Sequence, residues 1–127
     1  MPTFSINADR LLRRIAALGL IGVGADGALT RLAASDADKA GRDQLVAWMT
    51  EAGLSVDIDA AGNIFGALGA TGGDAAPVMI GSHIDTVINA GIYDGCYGVL
   101  AGLEVAQSLR EADVALARPI TIAAFTN

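Results

Sequence analysis

Two short apolar runs on either side of a helical pattern constrain the fold more than any other feature of the sequence. Residues 77–82 and 119–125 have the composition of strands that are buried on both faces of a sheet. Between them, residues 95–111 carry apolar side chains at helical spacing. A helix that connects two strands of one sheet returns the chain to the end where the first strand began, so the two strands run parallel, and such crossovers are right-handed. The sequence therefore predicts an α/β fold with a parallel βαβ core.

The first half of the chain adds two helices and a hairpin to this core. Asn7 is a favourable N-cap for a helix over residues 8–18. Ser35 begins a second helix, and Gly53 ends it. Between residues 54 and 68, two strand-like segments flank a turn, which predicts an antiparallel hairpin. The predicted architecture is a mixed sheet flanked by helices.

Polar residues mark one side of two of these helices. On the first helix, the side opposite the apolar positions carries three arginines: Arg10, Arg13 and Arg14. On the helix over residues 95–111, the polar side chains form one narrow stripe: Glu104, Gln107, Ser108 and Arg110. We expect the three arginines to lie away from the apolar core.

Charge and hydrophobic content exclude several classes of protein. With 8 basic and 14 acidic residues in 127, the net charge is −6, which argues against a nucleic-acid partner. Hydrophobic residues reach 53%, more than an ordinary soluble domain contains even when glycine is counted. The chain is therefore long and apolar enough for one domain, and the excess suggests that part of its surface packs against something outside it.

The sequence also indicates where the protein resides. A single cysteine, Cys96, excludes an internal disulfide and favours a reducing compartment. The N-terminus lacks the pattern of a signal peptide, and no uncharged run reaches the ~18–20 apolar residues of a membrane span. These features predict a soluble, cytoplasmic protein with no membrane partner.

Three side chains suited to a metal site follow the predicted strand at 77–82. His83, the only histidine, comes directly after the strand, and Asp85 points to the same face in extended backbone. Asp94 lies where an N-cap belongs, before a helix that begins at Gly95. Open α/β sheets bind ligands at this carboxyl edge. An imidazole with carboxylates there favours zinc, manganese, cobalt or nickel over calcium.

Simpler interpretations stay open at this point. A lone histidine after a strand is usually structural, Asp94 could only cap a helix, and Asp85 could only form a turn. Cys96 at a helix N-terminus could be a nucleophile, although a packed small side chain is the commoner role. The G-x-G-x-x-G sequence over residues 22–27 lacks the strand–turn–helix context of a nucleotide-binding loop.

Several motifs in order resemble one family of enzymes. They are Gly81-Ser82-His83-Ile84-Asp85-Thr86-Val87, Tyr93-Asp94-Gly95, Asp59-Ala60-Ala61-Gly62-Asn63 and Ile122-Ala123-Ala124-Phe125-Thr126-Asn127. Together they are similar to the dinuclear metallopeptidase and amidohydrolase family that contains carboxypeptidase G and aminoacylase. Within it, the chain most resembles the hydantoinase/carbamoylase branch of N-carbamoyl-L-amino-acid hydrolases, allantoate amidohydrolases and β-ureidopropionases. The similarity runs over nearly the whole chain from about Asn7.

The resemblance implies a zinc-peptidase-like catalytic domain with two divalent metal ions, Zn, Mn, Co or Ni. His83 would bind one metal, Asp94 would bridge both, and Asp85 would support catalysis by orienting His83. In many relatives the peptide bond after the bridging aspartate is cis, which predicts a cis bond between Asp94 and Gly95.

The family pattern also implies groups that follow Asn127. In the family, two glutamates come next, a general base and a metal ligand. Two histidine ligands, a substrate-binding arginine and a lid domain that usually forms a homodimer lie further on. Residues 1–127 are therefore expected to be the N-terminal part of a catalytic domain, inactive alone and weak in metal binding. The full-length protein is expected to hydrolyse a linear C–N bond in a small-molecule substrate, an N-carbamoyl amino acid or a ureido acid.

Three alternatives to this function remain. The protein could be an aminopeptidase or deacylase of the same wider family. It could be a non-catalytic binding or assembly module. It could also be a thiol hydrolase that uses Cys96.

Overall fold

The computed structural model describes residues 3–69 and 74–127, and it confirms the predicted order of elements. Within these residues the helices are α1 (Ala8–Gly19), α2 (Asp36–Glu51) and α3 (Cys96–Glu111). The strands are β1 (Ser55–Ile58), β2 (Ile64–Leu68), β3 (Val78–Ser82) and β4 (Ile120–Ala124). They form a mixed sheet in the order β1-β2-β4-β3. The loop predicted over residues 71–74 lies, except for Asp74, outside the described residues.

Both predicted strand pairings are confirmed. β1 and β2 are antiparallel, with Ile58 opposite Ile64. β3 and β4 are parallel, with Ile80 opposite Ile122, and α3 connects them. β2 joins the two units because it also pairs with β4, in antiparallel orientation. The parallel pair brings the C-terminal ends of β3 and β4 to one edge of the sheet, where ligand sites of such folds lie.

Capping interactions fix the ends of α1 and α2. The Asn7 side chain accepts a hydrogen bond from the Arg10 N–H, and the Ser35 side chain accepts one from the Asp38 N–H. Gly53 follows the last turn of α2 with a φ of +84°, which glycine adopts at little cost. The predicted caps are therefore confirmed.

The apolar core lies between the helices and one face of the sheet. Its members with less than 2% exposure include Ile15, Leu18, Leu45, Met49, Ile64, Val99, Leu100, Leu103 and Ile122. They come from all three described helices and from both strands at the centre of the sheet. This packing supplies most of the stabilisation, because apolar burial is the largest favourable contribution to folding.

The burial predicted for both strands of the βαβ unit is right for β4 and wrong for β3. β4 is an inner strand and is buried along most of its length. β3 is an edge strand, in which Val78 is 49% and Met79 is 50% exposed. Ile80 alone among its large side chains packs against the core. The described residues therefore leave part of the apolar surface of β3 uncovered.

The expectation that the arginines of α1 face away from the core is wrong for Arg14. Arg13 is exposed, but Arg14 is only 6% exposed and lies over Trp48, with Cζ 5.8 Å from the ring centroid. A guanidinium over an indole face gains a cation–π interaction, which offsets part of the cost of burial, although the Arg14 Nη1 has no hydrogen-bond partner among the described residues. Burial lowers the pKa of Arg14 from its usual value.

Part of the polar stripe of α3 is also buried: Glu104 and Ser108 are covered, whereas Gln107 is half-buried and Arg110 is exposed. Glu104 is 1% exposed, and its carboxylate accepts hydrogen bonds from the Asn7 N–H, the Arg10 guanidinium and the Ser108 hydroxyl. The Arg10 Nη1 also donates to Glu111. Burial raises the pKa of the Glu104 carboxyl, but these hydrogen bonds outweigh it and hold the pKa below its usual value.

Candidate metal centre

His83 begins the segment that leaves β3 at the carboxyl edge of the sheet. Its Nδ1 lies 2.9 Å from the carbonyl oxygen of Asp85 and 3.3 Å from the Asp85 carboxylate oxygen Oδ1. A carbonyl oxygen can only accept a hydrogen bond, so Nδ1 carries the proton. This contact occupies Nδ1 and leaves Nε2 without a hydrogen-bond partner among the described residues, and the His83 side chain is 32% exposed. The ring is therefore oriented to offer Nε2 to a ligand.

Asp85 holds this orientation from a buried position. It is 9% exposed, and both its main-chain oxygen and its carboxylate face the His83 ring. Its second carboxylate oxygen lies 3.3 Å from the amide nitrogen of Asn127. The two side chains therefore lie on the same side of the segment, as the sequence predicts. A carboxylate next to the imidazole is also the usual partner of a metal-bound histidine.

Gly95, the residue after the second candidate ligand Asp94, lies against the His83 ring. A side chain at Gly95 would overlap the His83 ring, and its φ of +68° lies in the left-handed region. Both observations require glycine, because only a residue without a Cβ allows this contact and this backbone. Asp94 is the next residue toward the N-terminus and is exposed. The turn therefore places Asp94 one residue from the contact with His83.

Two local predictions about Asp94 are wrong. α3 begins at Cys96 with Gly95 as its N-cap, and no side chain caps it. The bond between Asp94 and Gly95 is trans, as are all peptide bonds of the described residues. The trans bond is the ordinary isomer of a non-proline peptide. The missing cap follows from the left-handed turn at Gly95, which redirects the chain so that the Asp94 carbonyl accepts the Cys96 N–H at 2.7 Å. The Asp94 carboxylate is left free of the capping role.

Arg31 is a residue of the site region that the sequence analysis missed. It lies in a segment interpreted as loop, yet it is 1% exposed. Its side chain donates to the carbonyl oxygen of Ile84, between His83 and Asp85, at 2.9 Å. An isolated arginine in a loop carries no periodic signal, so apolar periodicity could not identify its burial.

The β1–β2 turn supports the same edge of the sheet. Asp59 accepts hydrogen bonds from the N–H groups of Ala61 and Asn63, and hydrogen bonds from Asn63 hold the pKa of its carboxyl low. The Asn63 side chain in turn accepts the Thr126 N–H at 2.8 Å. This turn thereby ties the segment after β4 to the hairpin.

Two other sequence candidates have structural roles. Cys96 is 1% exposed, its Sγ lies 2.8 Å from the Ile92 carbonyl oxygen, and burial raises the pKa of its thiol. A buried thiol of raised pKa is a poor nucleophile, which argues against the thiol hydrolase. Residues 22–27 form a tight backbone reversal, closed by a bridge between Val23 and Leu29, and no helix follows directly. The G-x-G-x-x-G sequence is therefore a turn.

The chemistry of the donors fits a divalent transition metal, but these donors are too few for a complete site. His83 offers a neutral imidazole nitrogen, and Asp94 offers an exposed carboxylate. Such N and O ligands suit zinc and its neighbours. Within residues 3–69 and 74–127, no three side chains of His, Cys, Asp or Glu are grouped to hold a metal. The chain therefore contributes part of a ligand set.

The family follows from comparison with known sequences. The model of peptidase family M28 matches residues 63–127, which contain the β2 strand, the βαβ unit and all three candidate site residues. The match covers about half of the chain. This chain belongs to peptidase family M28.

Individual relatives define the branch and confirm the resemblance seen in the motifs. The chain is 43% identical over 122 residues to an N-carbamoyl-L-amino acid amidohydrolase of Geobacillus stearothermophilus, covering 96% of this chain and 30% of that protein. It is 43% identical over 97 residues to an allantoate amidohydrolase of Bacillus subtilis, covering 74% and 23%. A crystal structure of a hydantoinase/carbamoylase family amidase from Burkholderia ambifaria matches with a TM-score of 0.92 and 43% identity, covering 98% and 30%.

The Geobacillus and Burkholderia matches cover nearly all of this chain but only part of each relative. The chain spans about 30% of the length of these two relatives. The α/β fold predicted from sequence is confirmed by the structural match.

Among the described residues, the helices are too short or too polar to cross a bilayer.

Proposed function

We propose that this chain is the N-terminal part of the catalytic domain of a metal-dependent amidohydrolase. The full-length enzyme would cleave a linear amide or ureido C–N bond, in an N-carbamoyl-L-amino acid or an allantoate-type substrate. The observation that carries the proposal is the His83 ring, whose Nδ1 is bound by Asp85 and whose face contacts Gly95, next to Asp94. The relatives named as amidohydrolases support this choice of chemistry.

Each of the three residues has a separate role in this proposal. His83 would bind one metal through Nε2, and Asp94 would bridge two metals drawn from zinc, manganese, cobalt and nickel. Asp85 would fix the tautomer and orientation of His83. Metals bound there would polarise the scissile carbonyl and lower the pKa of a bound water.

The proposal extends to the protein's surroundings. Large apolar side chains are exposed near the site, and they form the following set: Val87, Ile88, Tyr93, Tyr97 and Phe125. We propose that the remainder of the enzyme covers them and supplies the other ligands. A homodimer formed through a lid domain outside this chain, and a cytoplasmic location in keeping with one unpaired buried cysteine, belong to the same proposal.

A chimera tests the proposal directly. This chain would replace the matching segment of the Geobacillus N-carbamoyl-L-amino acid amidohydrolase, and hydrolysis of N-carbamoyl-L-amino acids would be compared with hydrolysis of allantoate, dipeptides and N-acetyl amino acids. We expect metal-dependent activity on the carbamoyl or ureido substrates. Activity on dipeptides or N-acetyl amino acids alone would favour the aminopeptidase or deacylase alternative.

Matched variants assign the activity to the site. His83→Asn and Asp94→Asn should each abolish turnover, whereas Asp57→Asn, an exposed position on β1, should not. A chimera that is folded by circular dichroism and binds its metals, yet hydrolyses none of these substrates, would support the non-catalytic module instead.

A further inference from the structure

We infer that Arg31 is a positioning residue for His83, an inference that rests on the proposed metal-binding function. Arg31 lies outside the three candidate site residues, in the connector between α1 and α2. It is nearly inaccessible to solvent, and among the described residues it makes no ion pair with a carboxylate. A buried cation of this kind needs a structural reason, because its desolvation is costly.

Main-chain carbonyls supply that reason. The Arg31 Nη1 donates to the carbonyl oxygens of Leu18 at 2.8 Å and Ile21 at 2.7 Å. These carbonyls lie at the C-terminal end of α1, whose last turn has no basic residue of its own. The negative end of a helix dipole favours a cation, so Arg31 caps α1 from a distant position in the chain.

The same guanidinium reaches the segment that carries His83. Its Nε donates to the Ile84 carbonyl oxygen at 2.9 Å. Ile84 separates His83 from Asp85, so the orientation of its carbonyl determines where the two flanking side chains point. Arg31 therefore connects a rigid helix end to the backbone between His83 and the residue that orients it.

Main-chain contacts of the connector extend this connection along the loop. The Thr86 N–H donates to the Arg31 carbonyl at 2.7 Å, and the Arg31 N–H donates to the Thr86 hydroxyl at 2.7 Å. Four residues after Thr86, the Ala90 N–H donates to the carbonyl of Leu29, two residues before Arg31, at 2.9 Å. The loop between His83 and Asp94 is thus hydrogen-bonded to residues 29–31, and Arg31 makes most of these bonds.

The test uses the fact that His83 is the only histidine of the protein. Its ring nitrogens give unique ¹⁵N signals, which report directly which nitrogen carries the proton. In the parent protein we expect the Nδ1–H tautomer. In Arg31→Met we expect a mixture of tautomers. We also expect amide exchange at Thr86 and Ala90 to be about tenfold faster, because the lost side-chain hydrogen bonds no longer hold the two segments together, and one net hydrogen bond changes local opening by roughly that factor.

Three further variants make the result specific. Arg13→Met removes an exposed arginine of α1 and should change neither signal. Arg31→Lys keeps the charge without the planar fork and should restore the parent behaviour in part. Thr86→Val removes one bond of the same set and should shift exchange in the same direction but less, which keeps the inference testable if Arg31→Met does not fold.

Zinc titration of the His83 signal tests the inference, and the chimera tests the proposed function. We expect Arg31→Met to need about 10-fold or more additional zinc for half-saturation, the size of effect found for residues that support a metal ligand. An unchanged tautomer and unchanged exchange in Arg31→Met, with a zinc response like the parent's, would overturn the inference alone. A chimera that folds but neither binds metal nor hydrolyses the substrates would instead overturn the proposed function on which the inference rests.

Discussion

Two polar clusters of this protein differ in how completely their hydrogen bonds are satisfied. Between α1 and α3, the buried Glu104 carboxylate is bound by Asn7, Arg10 and Ser108. At the carboxyl edge of the sheet, the His83 Nε2 and the Asp94 carboxylate have no hydrogen-bond partner among the described residues, and both side chains have access to solvent. A satisfied cluster contributes stability and specificity of packing, whereas donors left unused at a sheet edge are available for chemistry.

The comparison shows that the surroundings of a polar cluster, and not the types of residue in it, decide whether the cluster stabilises the fold or remains available to bind a ligand. In both clusters a carboxylate lies next to a nitrogen-containing side chain: Arg10 beside Glu104, and His83 beside Asp85. The cluster between the helices is buried in the described residues, while the cluster at the sheet edge lies beside exposed apolar side chains such as Val87 and Tyr93. The predictions below distinguish the two clusters by the property each should control.

The largest effect should follow loss of the Arg10 guanidinium. Arg10→Met leaves Glu104 buried without its cationic partner, and breaking a buried pair in this way costs about 3–5 kcal/mol. The free energy of unfolding in urea measures this cost, with Arg13→Met as the control. A loss below about 0.5 kcal/mol, typical of a surface substitution, would show that the helix cluster is not stabilising.

Loss of the Asp85 carboxylate should affect metal binding more than stability. Asp85→Ala should weaken zinc binding by about 10- to 100-fold, because it removes the group that fixes the His83 tautomer. Zinc titration of the His83 ¹⁵N signals measures the affinity. Equal zinc affinity in Asp85→Ala and the parent would remove Asp85 from the site.

Acid should act on the helix cluster in a defined direction. The folded-state pKa of Glu104 lies below its usual value of 4.5, so its stabilising contribution is present above pH 4.5. The contribution is lost as the pH falls through the lowered pKa. Urea unfolding between pH 6 and pH 3 should show the difference in stability between the parent and Glu104→Gln shrinking with acid. A pH-independent difference would contradict the assignment.

The smallest effect concerns Cys96. Since burial raises the pKa of its thiol, alkylation by iodoacetamide at pH 7 should be far slower in the folded protein than in urea. Cys96→Ser should leave the activity of the chimera within about twofold, because the thiol takes no part in the proposed reaction. Rapid alkylation of the folded protein together with loss of activity would revive the thiol hydrolase.

Most of the fold could be predicted from local signals in the sequence. Apolar periodicity, the caps at Asn7 and Ser35 and the glycine at 53 identify the seven helices and strands of the described residues within a residue or two, because these signals act between residues close in sequence. The burial of β3 could not be predicted in this way. Its composition is that of an inner strand, whereas its place at the edge of the sheet depends on pairing partners distant in sequence.

The candidate site was predictable to the level of residues but not of contacts. Position after a strand selected His83, and spacing selected Asp85. The left-handed turn at Gly95, which displaces Asp94 from its expected cap, depends on the packing of the glycine against the His83 ring. The burial of Arg31 depends on hydrogen bonds to main-chain carbonyls of two separate segments. Because main-chain carbonyls are the same in every residue, these hydrogen bonds give no periodic pattern in the sequence.

The central claim is that His83 and Asp94 bind the same metal centre, and one titration tests it most directly. Zinc is added to the ¹⁵N-labelled protein, and the His83 signals are followed in the parent, in Asp94→Asn and in the control Asp57→Asn. The account predicts that zinc shifts the Nε2 signal while Nδ1 keeps its proton, that Asp94→Asn needs about tenfold more zinc for half-saturation, and that Asp57→Asn matches the parent. A zinc response that is identical in the parent and in Asp94→Asn would contradict it.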